Sequence, residues 1–347
     1  MTTSGHKPTN KTPSVFIVAE ISGNHNGDLN EAVELINIAA NVGANAVKFQ
    51  TYTPETISLD SDKADFLLPE SSPWIAHKNY FDLYKAAFTP WEWHSKLFAH
   101  AIEKGLVPFS SPFDETAVDL LIGLDCTIFK LASPEINHLP LIRKIASTSK
   151  PIVISLGVAN EIDLENALFE FRSISDAEIT VLQCETKYPS ELPDTNLNLL
   201  SILKKKYDVR IGLSDHTIGS TAAIAATALG ASMIEKHLVK KGTNSVDSFF
   251  SADEEQFTTL VRNIREAESV LGNAVFRDFP TTNEALRSKR SIYPIRDISV
   301  GELFSYENIR VIRPGFSASP ALIRNFLGKK AKRNIEKGER ISLGDIQ

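Results

Sequence analysis

Short apolar, β-branched runs recur along the chain, and the stretches joining them carry apolar residues every three or four positions. The runs are Val15–Glu20, Ala46–Gln50, Leu106–Ser110, Thr127–Ala132, Pro151–Ser155, Ile179–Cys184, Val209–Leu213 and Ser232–Lys236. Helical spacing is clear over Leu29–Val42, Pro90–Lys104, Thr217–Leu229 and Glu254–Leu271. Strands that are apolar almost throughout, instead of alternating, are buried on both faces, and helical crossovers make them parallel. Eight strand–helix units in about 260 residues predict an α/β fold, a (β/α)8 TIM barrel over residues 13–271. The competing open, doubly wound sheet lacks its Gly-rich dinucleotide fingerprint here.

Two segments break the rhythm. The second and third runs lie about 55 residues apart, where about 25 suffice for one unit. The surplus, Thr51 to Thr89, carries Leu67-Leu68-Pro69, Trp74 and Tyr80. Long loops of this kind sit on the catalytic face of a barrel, which predicts a lid or pocket wall. Beyond the last helix, residues 272–287 lose their periodicity and read as a linker, and residues 288–347 read as a small domain of short strands and turns. That tail repeats itself. Ile298-Ser-Val-Gly-Glu-Leu-Phe-Ser-Tyr-Glu-Asn-Ile309 is echoed by Ile335-Glu-Lys-Gly-Glu-Arg-Ile-Ser-Leu-Gly-Asp-Ile346, which predicts a module with pseudo-symmetric halves. At the other end, residues 1–12 are polar and predict disorder.

Composition narrows the class. A chain of 347 residues that is 42% hydrophobic and 23% charged is globular. It has no apolar run near the ~20 residues that span a bilayer, and no apolar signal-peptide core at its start. Two cysteines are too few for a disulfide framework or a thiolate zinc site. A net charge of −6 disfavours nucleic acid as a partner. The expectation is a cytoplasmic protein with neither membrane nor nucleic acid as partner. The charge is uneven, however: Ser288 to Gln347 holds twelve Lys/Arg against six Asp/Glu.

Polar residues at the carboxyl ends of barrel strands face the catalytic site. In this chain those positions are Glu20, Lys48 with Gln50, Ser110-Ser111, Lys130 with Ser133 and Glu135, Ser155, Cys184 leading to Tyr188, Ser214-Asp215-His216 and Glu235-Lys236-His237. A structural barrel has no need of so many ionisable groups. His216 and His237 follow adjacent strands at one level, and two neutral imidazoles at an open site suit Mn, Fe or Zn. Lys48 and Lys130 lie in apolar strands, so each either pairs with Glu20 or Glu135 or binds an anion. With Ser111, Ser133 and Ser155 they make a phosphate-and-carboxylate pocket, and a Schiff-base lysine is a third reading. Glu20 and Glu135 are the acid–base candidates. Cys126 and Cys184 read as small buried hydrophobes without the neighbours of a catalytic thiol, and Trp91 and Trp93 as packing residues.

The segments Ala19-Glu-Ile-Ser-Gly-Asn-His-Asn26, Val47-Lys-Phe-Gln-Thr-Tyr-Thr-Pro54, Phe129-Lys-Leu-Ala-Ser-Pro-Glu135, Gly212-Leu-Ser-Asp-His-Thr217 and Ile234-Glu-Lys-His237 together resemble the sialic acid synthase family. Members of that family condense phosphoenolpyruvate (PEP) with an acetamido sugar. Arg313-Pro-Gly in the tail resembles the family's antifreeze-protein-like (SAF, β-clip) domain. Thr89-Pro-Trp-Glu-Trp-His94, Phe109-Ser-Ser-Pro-Phe-Asp114, Asp247-Ser-Phe-Phe-Ser251 and Arg290-Ser-Ile-Tyr293 are similar to the branch that makes pseudaminic acid from 2,4-diacetamido-2,4,6-trideoxy-L-altrose. Thr186, where neuraminate synthases carry asparagine, and Ser155-Leu-Gly157 depart from the wider pattern.

The resemblance implies a divalent metal (Mn or Mg, with Co as an option) on His216 and His237. It implies PEP contacts from Lys48, Ser111, Lys130, Ser133, Ser155, Thr186 and Ser214, and sugar contacts from Glu20, Tyr188, Asp247 and Arg313. Glu20, Glu135, Lys48 and Lys130 would act at the reacting centre, with Glu135 moving a proton as water adds. A domain-swapped homodimer is implied as well. The alternatives are a neuraminate or legionaminate synthase, a Schiff-base aldolase using Lys130, and a carbohydrate-binding protein on an inactive barrel.

Overall fold

The computed structural model describes residues 14–272 and 283–347, in two compact units that divide at Gly272. The first unit holds β1 (Phe16–Glu20), β2 (Ala46–Thr51), β3 (Val107–Pro112), β4 (Phe129–Leu131), β5 (Ile152–Ser155), β6 (Ile179–Cys184), β7 (Arg210–Asp215) and β8 (Met233–His237). They close in chain order, every neighbour parallel and β8 returning to β1. Burial on both faces is why the runs read as continuously apolar: Ile17, Val47, Phe109, Phe129, Ile154, Val181 and Ile234 are all within 0% exposure. Among the described residues, no helix is long and apolar enough to cross a membrane.

Local signals decide the helices. Asp253 caps the helix Glu254–Leu271 in a reciprocal capping box with Gln256, and the boundaries match the expectation to the residue. Two expectations are corrected. Thr217–Leu229 shortens to a helix at Thr221–Ala228, because Asp215 accepts from both the N–H and the hydroxyl of Thr217, and Lys236 Nζ donates to its carbonyl. Pro90–Lys104 splits into a 3-10 turn at Trp91–Trp93 and a helix at His94–Glu103. The surplus between β2 and β3 contains the short helices Pro54–Ile57 and Tyr80–Ala87.

The expected disordered segment 1–12 lies outside the described residues, as does most of the linker. The linker's last residues are not irregular: Asn283–Ser288 is helical. In the second unit, β9 (Ser291–Pro294) and β10 (Ile309–Ile312) pair antiparallel over a core that includes Ile292, Ile298, Phe304, Phe326, Ile335 and Ile341. The sequence echo is a structural one. Ile298 and Ile335 exchange both backbone hydrogen bonds at 2.9 Å. Arg296 pairs with Glu302 at 2.7 Å, and thirty-seven positions on, Arg333 pairs with Glu339 at 2.7 Å. Each glutamate also caps its own turn, from Ser299 N–H and from Glu336 N–H respectively.

Candidate active site

Register places the chemistry. Glu20 at the end of β1 is level with Lys48 on one side and His237 on the other. Cys184 is level with Ser214, which is adjacent to Glu235 one strand on. Side chains two apart on a strand share a face, so Glu235 joins His237, and Lys48 joins Gln50. These groups are nearly all buried: Glu20, Lys48, Lys130, Ser214, Glu235 and His237 are each 8% exposed or less.

Lys48 is the hub. Its ammonium lies 2.6 Å from Glu20 and 3.8 Å from Glu235, and donates to Ser111 Oγ at 3.3 Å. Of the two glutamates offered as its partner, Glu20 is the one it meets. Gln50 donates to Glu20 at 3.1 Å, and Ser214 donates to Glu235 at 3.0 Å. Burial works against the ammonium of Lys48, but Glu20 and Glu235 outweigh it and raise its pKa. Burial also pushes Glu20 up to about 7, against the pull of Lys48 and with help from Glu235. Glu235 goes the other way: burial opposes its charge, yet Lys48 and Lys130 hold it below the usual carboxylate range. The trio therefore keeps Glu235 ionised near neutrality and lets Glu20 gain or lose its proton there.

Lys130 has no such partner; among the described residues no carboxylate lies within 4.0 Å, and its Nζ donates to Leu131 O at 3.0 Å. Burial depresses its pKa, although Glu235 lifts it. Glu135, just past β4, is pushed by burial up to about 7 against the pull of Lys130. Buried polar atoms without a hydrogen-bond partner among the described residues include Glu135 Oε2, Ser155 Oγ and His237 Nδ1, besides Glu20 Oε2 and Glu235 Oε2, which face Lys48. Orphaned buried polar atoms are rare and mark a place where a ligand completes the bonding.

The loop after β5 is held by Ser133, whose Oγ donates to Leu156 O and accepts from Val158 N–H, both at 2.7 Å. Ser133 thus reaches the expected PEP pocket as the anchor of a turn. Gly157, at φ +36°, lies inside that turn, and an added Cβ would meet Ser133 Oγ at 2.5 Å and Thr186 Cγ2 at 2.6 Å. Gly157→Ala is expected to cost about 1–3 kcal/mol, read as a lower urea midpoint at unchanged slope.

His216 and His237 face each other with ring centroids 5.3 Å apart. His216 Nδ1–H donates to Glu185 O at 2.7 Å, which fixes the tautomer and leaves Nε2 unprotonated. Burial lowers the pKa of both rings, His237 well below the ordinary value, so both are neutral, as ligating imidazoles must be. Two neutral imidazoles with one unpartnered nitrogen fit a divalent cation. Among the described residues no third His, Cys, Asp or Glu joins them, so substrate or water has to fill the remaining positions.

Tyr188 packs against His216 with ring centroids 4.5 Å apart and the planes tilted by 46°. Asp247, raised by burial, accepts a short hydrogen bond from Ser22, which sits at the strained φ of +50°. The long β2–β3 loop does build a wall: Trp74 lies 5.4 Å from Tyr188. His25, by contrast, is a packing residue, bonded to Thr89 at 3.0 Å and to Gly27 N–H at 3.1 Å. Cys184 is corrected in part. It lines the site, with its Sγ 3.9 Å from His216 Nδ1, but burial pushes its thiol up to about 11 and leaves it a poor nucleophile. Glu235 and Phe250 were given no role from sequence; the two-residue spacing to His237 is the signal that finds Glu235. Arg313 lies in the second unit, after β10.

The raised glutamates make stability depend on pH. With folded pKa values near 7 against an unfolded 4.5, the folded state holds protons that the unfolded chain releases. Their contribution is complete below about pH 4.5 and is lost as pH rises through 7. The buried neutral histidines act in the opposite sense below about pH 6.5, so the glutamate contribution is read as a difference: the urea midpoint of the parent relative to Glu135→Gln is expected to fall between pH 5 and 8, and a difference that stays constant assigns the pH dependence to other groups.

Residues 35–276 match the NeuB family, and residues 289–347 match the SAF domain. The chain belongs to the NeuB family. Within that family it is 40% identical over 342 residues to pseudaminic acid synthase of Campylobacter jejuni subsp. jejuni serotype O:2, covering 97% of this chain and 98% of that one. It is 36% identical to N,N'-diacetyllegionaminic acid synthase of the same organism, covering 94% and 98%. Among solved structures, N-acetylneuraminic acid synthetase of Leptospira borgpetersenii serovar Hardjo-bovis has a TM-score of 0.68 at 29% identity, covering 79% of this chain and 90% of that one. The NeuB match spans β2 to β8, including Glu235 and both histidines, and begins after β1 and Glu20.

Proposed function

We propose that this chain is a pseudaminic acid synthase, a transferase that joins PEP to 2,4-diacetamido-2,4,6-trideoxy-L-altrose, with water, to give pseudaminic acid and phosphate. The observation that carries the reading is a buried strand-end cluster with unmet polar groups. Lys48 is shared between Glu20 and Glu235, Lys130 has no carboxylate within 4.0 Å among the described residues, and Ser155 Oγ has no hydrogen-bond partner there. Such a cluster suits a small anionic ligand. Full-length similarity to pseudaminic acid synthases selects the sugar.

In this reading Lys48, Lys130, Ser111, Ser155, Thr186 and Ser214 take the carboxylate and phosphate of PEP, and Ser133 holds their shared turn. His216 and His237 would hold a divalent ion, Mn or Mg, which supplies polarisation of the sugar's aldehyde oxygen when bound. Tyr188 and Asp247 orient the sugar. The PEP methylene carbon attacks the aldehyde carbon, and Glu20, protonated up to about pH 7, is placed level with His237 to give the new alkoxide its proton. Water then adds at C2 of PEP, Glu135 takes its proton, and the C2–O bond to phosphate breaks.

The proposal includes a homodimer in which Arg313 of one protomer reaches the partner's sugar. Depressed Lys130 favours a Schiff-base aldolase as the second reading. A panel of acetamido sugars with PEP, read by phosphate release and mass spectrometry of the product, tests the assignment. The diacetamido altrose is expected to give a nine-carbon acid, in a reaction that EDTA stops. Turnover of N-acetylmannosamine alone overturns the sugar assignment, and borohydride trapping of Lys130 in EDTA supports the aldolase.

A further inference from the structure

The candidate site is divided by polarity. One side is the charged floor of Glu20, Lys48, Lys130 and Glu235. The other is a closed circuit of aromatic edges. From Trp74 the ring centroids run 5.4 Å to Tyr188, 4.5 Å to His216, 5.3 Å to His237, 4.8 Å to Phe250, 5.0 Å to Phe249 and 5.9 Å back to Trp74. The circuit joins four separate loops or strand ends. Trp74 comes from the long β2–β3 excursion, Tyr188 and His216 follow β6 and β7, His237 ends β8, and Phe249 and Phe250 follow it.

At its Trp74 and Phe249 end the wall offers little to a hydroxyl, the phenol of Tyr188 being the nearest polar group along it. Trp74 Nε1–H is already spent on Val246 O at 2.8 Å, and the phenylalanines have no polar atom. Yet the wall is not sealed: Phe249 is 46% exposed and Trp74 is half-buried. An aromatic surface left partly open beside a charged floor suits the apolar portion of a ligand whose polar portion is held elsewhere.

We propose that Trp74, with Phe249 and Phe250, receives the deoxygenated end of the sugar and makes Trp74 a specificity-determining residue for 6-deoxy substrates. This rests on the synthase reading, which puts the aldehyde carbon at the histidine end of the circuit. The sugar's remaining carbons then extend towards Trp74. A methyl group placed on the wall leaves water at a gain. A hydroxymethyl group in the same place gives up its hydrogen bonds to water without replacement. The Trp74–Phe249–Phe250 end of the wall carries no cation for either anionic group of PEP.

The test is a matched pair of sugars, 2,4-diacetamido-2,4,6-trideoxy-L-altrose and its counterpart with a hydroxyl at C6, each assayed for kcat/KM with PEP. The intact protein is expected to favour the deoxy sugar by about 10–100-fold, the range over which an apolar pocket rejects an added hydroxyl. Trp74→Asn is expected to narrow that ratio about tenfold, and Trp74→Phe to preserve it. Phe249→Asn, at an exposed position that tolerates a polar side chain, is expected to narrow it also and keeps the test open if Trp74→Asn does not fold. Loss of activity on both sugars in equal proportion, with the ratio unchanged, shows Trp74 to be a structural staple and overturns the proposal. If the intact protein turns over neither sugar, the synthase reading fails, and the wall's role fails with it.

Discussion

Mn is expected to raise the unfolding temperature of the intact protein, and replacing His237 with alanine is expected to abolish that rise and to lower kcat/KM for phosphate release at least about 10³-fold. The ring is buried, neutral and level with Glu20, and its Nδ1 has no partner among the described residues. A nitrogen kept dry and unbonded is a cost to the fold, so its removal partly offsets the cavity left behind. The metal-free variant is accordingly expected to fold, with stability within about 2 kcal/mol of the parent. His216→Ala should behave alike in activity while also freeing the Glu185 carbonyl. A His237→Ala protein that keeps its activity and still responds to Mn shows that the histidine pair is not the metal site.

Lys48→Met is expected to produce the second large effect, in activity and in stability together. The substitution strands Glu20 and Glu235 in a buried place without their shared cation. Breaking a buried pair by removing one member costs about 3–5 kcal/mol. The sign with pH follows from linkage. Without Lys48 both carboxylates are pushed up by burial and by each other, so the folded variant holds protons that the unfolded chain releases above about pH 4.5. The deficit against the parent should therefore be small at pH 5 and grow towards pH 8. Lys48→Met combined with Glu235→Gln removes one stranded charge and is expected to recover stability at pH 8 without recovering phosphate release. A deficit that stays constant across this range places the effect in packing.

The barrel was legible because its strands are apolar on both faces and its helices carry their own caps, as at Asp253 and Gln256. The level of the site residues followed from the same pattern, since register in a parallel barrel fixes which strand ends stand side by side. Partnerships across the barrel were not legible. Nothing in the spacing says that Lys48 meets Glu20 and Glu235 while Lys130 meets no carboxylate; that depends on how far each strand is staggered. Thr217 to Ser220 has the composition of a helix start, and only the three-dimensional neighbours Asp215 and Lys236 hold its beginning out of the helix. Trp74 is a further case. Its place in a long excursion suggested a wall, but its contacts with Tyr188 and Phe249 join residues more than a hundred positions away in the chain.

The most direct test of the chemistry uses PEP carrying ¹⁸O in the oxygen that bridges C2 and phosphorus, with the diacetamido altrose as acceptor. Mass spectrometry of both products is expected to find a nine-carbon acid free of the label and phosphate that carries it. Label retained in the acid, or phosphate release without a nine-carbon acid, contradicts C–C bond formation with C–O cleavage at this site.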